Sequence, residues 1–178
     1  MDFEKLARIL VPKTDTIVGV YYFTALQTWK PDKVARHRLF IRANELKGVH
    51  IVYGEFKQRD RLCSICKKEY VGREEKQTDV NIAIHLFRSA IQDRHDIAVI
   101  VSGDSDQIPA IQAVKALYPT KQVRVAIPIG RRADQLIDVC DSYSRIRELQ
   151  LKSCQLDTEI DIGGGEKLIR PESWVWLN

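Results

Sequence analysis

The chain is 178 residues long, with 44% hydrophobic and 29% charged residues, an ordinary globular composition rather than that of a fibrous or disordered chain. No apolar run reaches the ~20 residues needed to cross a bilayer, and the opening MDFEKLARIL lacks the basic-then-apolar layout of a signal peptide, so a cytoplasmic location is expected. A formal charge of +4 and a pI near 8.9 tilt weakly toward polyanionic partners.

Asp2–Leu10 reads as a short helix, with Phe3, Leu6, Ala7 and Leu10 at helical spacing, ended by Pro12. Thr16–Thr24 is rich in β-branched and aromatic residues and reads as a strand. Pro31 opens a helix over Asp32–Lys47, with Val34, Leu39, Ala43 and Leu46 inward and Gly48 stopping it. Val49–Phe56 is a second strand. Lys57–Arg73 reads as an irregular, strongly basic excursion carrying Cys63 and Cys66. Thr78 or Asp79 caps a helix over Val80–Gln92, whose inner stripe is Val80, Ala83, Ile84, Phe87 and Ile91.

The apolar run Ile97–Val101 has the pattern of a strand buried on both faces. It ends in the acidic turn Ser102-Gly103-Asp104-Ser105-Asp106. Pro109 then falls in the first turn of a helix running to Tyr118, with Ile111, Val114, Ala116 and Leu117 on its apolar face. Val123–Ile129 is a further strand, followed by Gly130-Arg131-Arg132, a helix over Ala133–Val139 and a short strand at Ser142–Ile146. From Leu151 the chain reads as a tail with a flexible Gly163-Gly164-Gly165, docking through Trp174 and Trp176. Alternating strands and helices predict an α/β domain over residues 1–150, with a mostly parallel sheet, right-handed crossovers and helices on both faces, and a tail over 151–178.

Ligands of open α/β sheets bind beyond the carboxyl ends of the strands. Asp104 and Asp106 lie there, and Asp79 starts a helix from the same edge. Three short, stiff carboxylates suit a hard divalent cation. Such an ion neutralises a phosphodiester, activates water and stabilises the leaving oxygen. The competing reading makes each of the three a helix cap or turn residue, although capping does not require Asp104 and Asp106 together. Arg131 and Arg132 follow a strand end and fit either phosphate contact or a solvated loop; Lys76 could contact phosphate, pair with a pocket acid or be an exposed cap-region lysine, and Ser102 beside the acids is a further candidate nucleic-acid contact. The basic segment Lys57–Lys68 could track a nucleic-acid backbone or be solvated surface. Tyr21, Tyr22, Phe23 and Trp29 read as buried rather than base-stacking, and Asp141 is a further acid of uncertain direction.

The four cysteines read as thiols or metal ligands rather than disulfides. Cys63-x-x-Cys66 has the spacing of half a Zn²⁺ site. Cys140, Cys154, His37 and His50 are unsupported as its completion, and a dimer sharing two pairs could complete it. An unmetallated thiol pair and a redox-sensitive turn are the alternatives.

The run Glu74-Glu75-Lys76-Gln77-Thr78-Asp79-Val80-Asn81-Ile82-Ala83, followed by Val101-Ser102-Gly103-Asp104-Ser105-Asp106, resembles the NYN domain, a family of PIN-like nucleases. The likeness extends to Tyr22-Phe23-Thr24-Ala25, Gly54-Glu55-Phe56-Lys57, the Cys63-Ser64-Ile65-Cys66 insertion, Pro128-Ile129-Gly130-Arg131-Arg132 and Arg170-Pro171-Glu172-Ser173-Trp174. It implies a PIN-like, Rossmann-like α/β fold and a Mg²⁺- or Mn²⁺-dependent ribonuclease acting on RNA. It assigns Asp79, Asp104 and Asp106 to the catalytic metal pocket. Family members open with a short apolar strand ending in a further metal-ligating Asp, and no residue here matches it. Either the sequence is truncated or starts at a late Met, or the protein has lost that strand; because the strand is central, its loss leaves two open edges, to be met by a strand from another chain or by repacking. Homo-oligomerisation is one expectation. A catalytically inactive RNA-binding or protein-interaction module on the same fold is the alternative function. A small-molecule phosphatase of another α/β class ranks last, because no nucleophilic Asp follows an early strand.

Overall fold

The structure is a computed structural model that describes residues 1–175; Trp176 lies outside them. Helix α1 (Phe3–Leu10) is capped by buried Asp2, whose Oδ1 accepts from the Lys5 N–H at 3.0 Å. Asn44, fully buried in helix α2 (Pro31–Glu45), accepts from the Phe3 N–H at 3.0 Å and donates to the carbonyls of Met1 and Phe40. A buried amide with its donors and acceptor satisfied stabilises the contact of α1 with α2.

Strands β1 (Val20–Thr24) and β2 (Val49–Tyr53) pair in parallel, with Val20 opposite Val49. Gly48 turns the chain between α2 and β2 at φ +84°. Strands β3 (Glu55–Leu62) and β4 (Glu69–Lys76) follow as an antiparallel hairpin in unbroken register. This corrects the irregular reading of Lys57–Arg73. Ion pairs tie the ladder: Glu74 accepts from both Arg61 and Lys76, and Lys57 pairs with Glu55. Arg73 lies 4.7 Å over the Trp29 ring, which meets Phe56 edge-on.

Helix α3 (Thr78–Ile91) leads to β5 (Ile97–Val101), a 3₁₀ turn at Ser105–Gln107 and helix α4 (Ile108–Leu117) with Pro109 in its first turn. Strand β6 (Gln122–Ile127), helix α5 (Asp134–Val139) and strand β7 (Ser142–Arg145) complete a parallel sheet in the order β5-β6-β7. Its core gathers Leu86 and Ala90 of α3, Ile111 and Val114 of α4, Val123, Val125 and Ile127 of β6, and Leu136 of α5. The stripe expected on α3 holds at Ala83 and Phe87. It fails at Val80, Ile84 and Ile91, which are 55–63% exposed. The reason is the helix's two-sided docking: Leu86 and Ala90 enter this core while His85 meets Tyr21 at a tilt and Phe23 edge-on on β1.

The parallel strands form two segments, β1–β2 and β5–β6–β7, rather than one continuous sheet. Among the described residues β1 pairs only with β2 and β5 only with β6. Strand β5 is therefore not buried on both faces: Ile97–Ile100 are half-buried and Val101 is exposed. The expected tail is structured. Helix α6 (Glu148–Ser153) precedes a hairpin of β8 (Glu159–Gly163) and β9 (Glu166–Ile169). Gly163, Gly164 and Gly165, read from sequence as flexible, all adopt positive φ in its turn, a conformation open to glycine without strain. Leu156, Ile160 and Leu168 form a second core with Ala43 of α2, and Trp174 packs against it. No helix of the described residues is long and apolar enough to cross a membrane.

Candidate metal centre

The loops after β1, β5 and β6 leave the carboxyl ends of parallel strands. Asp79 comes from the first turn of α3, immediately after the hairpin. Gln77, in the left-handed region at φ +73°, occupies the N-cap position of α3 without a side-chain capping bond. Neither Thr78 nor Asp79 caps it, contrary to expectation: Thr78 Oγ1 donates to Glu75 Oε1 at 2.5 Å, and the Asp79 carboxylate points elsewhere. After β5, Asp104 Oδ1 accepts from the Asp106 N–H at 3.0 Å, and Ser102 Oγ accepts from the Asp104 N–H at 3.0 Å. The 3₁₀ turn is thus capped by Asp104, not Asp106, which leaves the Asp106 side chain uncommitted.

One oxygen from each of Asp79, Asp104 and Asp106 lies within 4.8 Å of the others, and all three residues are exposed. Such an all-oxygen, anionic set fits a hard divalent cation that keeps part of its water shell. Beneath it, fully buried Gln107 donates from Nε2 to Asp79 Oδ1 at 3.1 Å, while its Oε1 has no partner. Partial desolvation, then the charges of Asp104 and Asp106, raise the Asp79 pKa above the usual carboxylate range; the Gln107 bond opposes the rise. Mutual repulsion of three acids is what a bound cation would relieve.

Arg131 belongs to the same edge. A methyl built on Gly103 would lie 2.8 Å from Arg131 Cβ, so the absence of a side chain at 103 lets the arginine stem lie on the acidic turn. Arg145 Nη1 reaches the Arg131 carbonyl at 3.5 Å. Arg132 is exposed on the same loop. Lys76 is turned onto Glu74 at 2.7 Å, so its charge is already partnered. Asp141 is no pocket acid: it precedes β7, at the opposite end of the sheet. There it pairs with Lys115 at 2.7 Å and accepts from the Val123 N–H.

Sequence reasoning missed Gln107 and gave Glu75 no role, and it weighed His37 only as an unsupported zinc ligand. Glu75 lines a polar cavity of about 350 Å³; its charge contributes to the raised Asp79 pKa and opposes the lowering of the His37 pKa. Thr24, Lys33, His37 and Glu75 line that cavity. His37 Nε2 lies 3.2 Å from Thr24 Oγ1 and 3.3 Å from Tyr22 Oη, and burial lowers its pKa. The available signal was Glu75 itself, four residues before Asp79. Gln107 gave none, because nothing in sequence distinguishes a buried glutamine from a surface one.

Fold and site together define a mixed α/β protein with a carboxylate cluster, able to hold a divalent metal, at the carboxyl edge of parallel strands. The chain belongs to the NYN domain family, whose profile matches residues 1–147. It is 30% identical over 159 residues to 6-hydroxy-3-succinoylpyridine 3-monooxygenase HspA of Pseudomonas putida, an alignment covering 86% of this chain and 49% of that protein. The chain therefore spans about half the length of that relative. A crystal structure of a protein of unknown function from Vibrio parahaemolyticus matches with a TM-score of 0.57 and 20% identity, over 83% of this chain and 79% of the other. That likeness concerns the fold alone.

Proposed function

We propose that the chain is a divalent-metal-dependent ribonuclease. The observation that carries the reading is the convergence of Asp79, Asp104 and Asp106, from two separate parts of the sequence, within 4.8 Å. Membership of the NYN family supports RNA as the substrate class. Asp79, Asp104 and Asp106 would hold Mg²⁺ or Mn²⁺, which when bound supplies charge neutralisation at the phosphodiester and a lowered pKa for attacking water.

The chain's own residues complete the arrangement. Ser102 fixes Asp104 through its backbone N–H, and Gln107 fixes Asp79 and favours its charged form. Arg131 and Arg132 offer cations to phosphate oxygens beside the acids. The cavity bearing Lys33 and His37 provides polar groups for nucleotides next to the scissile bond. Burial lowers the His37 pKa, which favours the neutral, hydrogen-bonding imidazole over the cation.

The test uses labelled RNA with Mn²⁺ or with EDTA. Cleavage is expected with the metal and not with the chelator. Asp104→Asn combined with Asp106→Asn should abolish cleavage while leaving circular dichroism and thermal melting unchanged; undiminished cutting by that variant refutes the assignment. A second reading, an RNA-binding module without catalysis, is favoured by one observation: the cluster has only three carboxylates and all are exposed. Binding of the RNA without metal-dependent cutting would select it. The relative's name attaches a monooxygenase reaction to a protein twice as long. Consumption of 6-hydroxy-3-succinoylpyridine by this chain would transfer that reading here.

A further inference from the structure

The β3–β4 hairpin turns through Cys63–Lys68, a segment that the acidic centre does not use. The Cys63 N–H donates to the Lys68 carbonyl at 2.9 Å, and the Lys67 N–H donates to the Cys63 carbonyl at 3.0 Å. Lys67 takes the left-handed conformation, φ +56°. The fold-back places Cys63 and Cys66 on one tight turn at the hairpin tip. The backbone N–H groups of Cys66 and Ile65, and then the Cys66 side chain, lower the Cys63 thiol pKa, which favours the thiolate that binds metal. Both cysteines are free, and Cys66 is exposed.

Two thiols do not complete a structural Zn²⁺ site, which takes four protein ligands. Among the described residues only the Asp79 cluster gathers three or more metal-binding side chains. Among the described residues, therefore, no third ligand meets Cys63 and Cys66. The tip also carries Ile65, 91% exposed, and Leu62, 59% exposed, at the extremity of the hairpin. Apolar side chains so placed lose water-exposed surface when a second tip meets them. Lys67 and Lys68 have no ion pair among the described residues. Zn²⁺ with four thiolates carries two net negative charges, and two copies would bring four lysines to balance them.

We propose that Cys63 and Cys66 of one copy, with the same two residues of a second copy, bind one Zn²⁺ in a tetrahedral four-sulfur site that joins the chains tip to tip about a two-fold axis. Four thiol protons leave to solvent as the four sulfur–metal bonds form, and nothing is oxidised or reduced. The contact is isologous: each tip is both donor and acceptor of the same surface.

The full chain, kept reduced, is loaded with Zn²⁺ and dialysed; bound metal is then measured by mass spectrometry and molar mass by light scattering. In the Asp104→Asn, Asp106→Asn background, which removes the acidic site, one zinc per two chains and a dimeric mass are expected, with return to monomer on adding a chelator. Cys63→Ser and Cys66→Ser should each abolish the dimer while keeping the parent's circular dichroism, and Cys140→Ser should leave it intact. Co²⁺ in place of Zn²⁺ should give a thiolate-to-metal charge-transfer band that the serine variants lose. Asp104→Asn with Asp106→Asn should retain the band, which separates this site from the acidic one. One zinc per monomeric chain, a dimer that survives both chelation and the serine substitutions, or no zinc retained by the reduced protein would each overturn the proposal.

Discussion

Gln107 shows how much of the candidate site rests on a side chain that touches no solvent. Its amide donates to Asp79 and opposes the rise in that carboxyl's pKa. Metal binding requires Asp79 deprotonated, so affinity should fall on acidification, starting at a higher pH than an unperturbed carboxylate would give. Removing the amide removes a stabiliser of the charged form. Gln107→Ala should therefore weaken Mn²⁺ binding about 10-fold, the usual cost of losing a group that orients a ligand, and move the pH midpoint of binding upward. Isothermal titration across pH measures both, and an unchanged midpoint would show that the bond does not govern Asp79. The three acids were legible from spacing and from the resemblance. Their capping roles were not, because Asp104 and Gln77 took the positions expected of Asp106 and of Thr78 or Asp79.

At the scale of elements, charge and conformation decide what periodicity leaves open. Asp157 joins α1 to the end of α2 through Lys5 at 2.7 Å and Lys47 at 2.6 Å. Hydrogen bonds from Lys47 and Lys5 hold its carboxyl down to about 2. Because the folded value lies below the unfolded one of about 3.9, its stabilisation is present above about pH 4 and lost as pH falls through about 2. The carboxylate is 43% exposed, so after solvent screening Asp157→Asn should cost about 0.5–1 kcal/mol at pH 7. The difference in urea midpoint should shrink as pH is lowered from 4 toward 2; a constant difference would assign the effect to packing. Strand and helix positions were mostly legible, but two hairpins were not. The β3–β4 ladder is highly charged and mostly exposed, so it lacks the alternating apolar pattern by which strands are recognised. The Gly163–Gly165 turn closes the other hairpin with three positive φ values, which the sequence alone does not distinguish from a flexible linker.

Over the whole molecule, burial falls into two separate clusters: one between α3, α4, α5 and β6, the other between α2 and the C-terminal hairpin. Ile111 belongs to the first core and Ile160 to the second, and the two cores share no residue. Ile111→Val and Ile160→Val should each cost about 0.5–1.5 kcal/mol, and the double variant should show the sum within about 0.5 kcal/mol in urea unfolding. A large coupling would mean that the clusters form one cooperative core. The parallel strands are divided in the same manner, with β1 and β5 each paired along one edge only among the described residues. Helix α3 spans the division, His85 on β1 and Leu86 and Ala90 on the β5–β6–β7 core.

The sequence by itself determined the alternation of strands and helices, the acidic turn after an apolar strand and the family to which the chain belongs. Those are properties of local spacing: period-two and period-3.6 apolar patterns, turn residues, and carboxylates at fixed offsets. Only the tertiary structure decided which face of α3 is buried, that β5 is half-exposed, that Gln107 supports Asp79 and that Asp141 lies at the far end of the sheet. Each of these depends on which elements meet in space, and burial, pairing and hydrogen bonding between residues far apart in the chain leave no trace in the spacing of either partner.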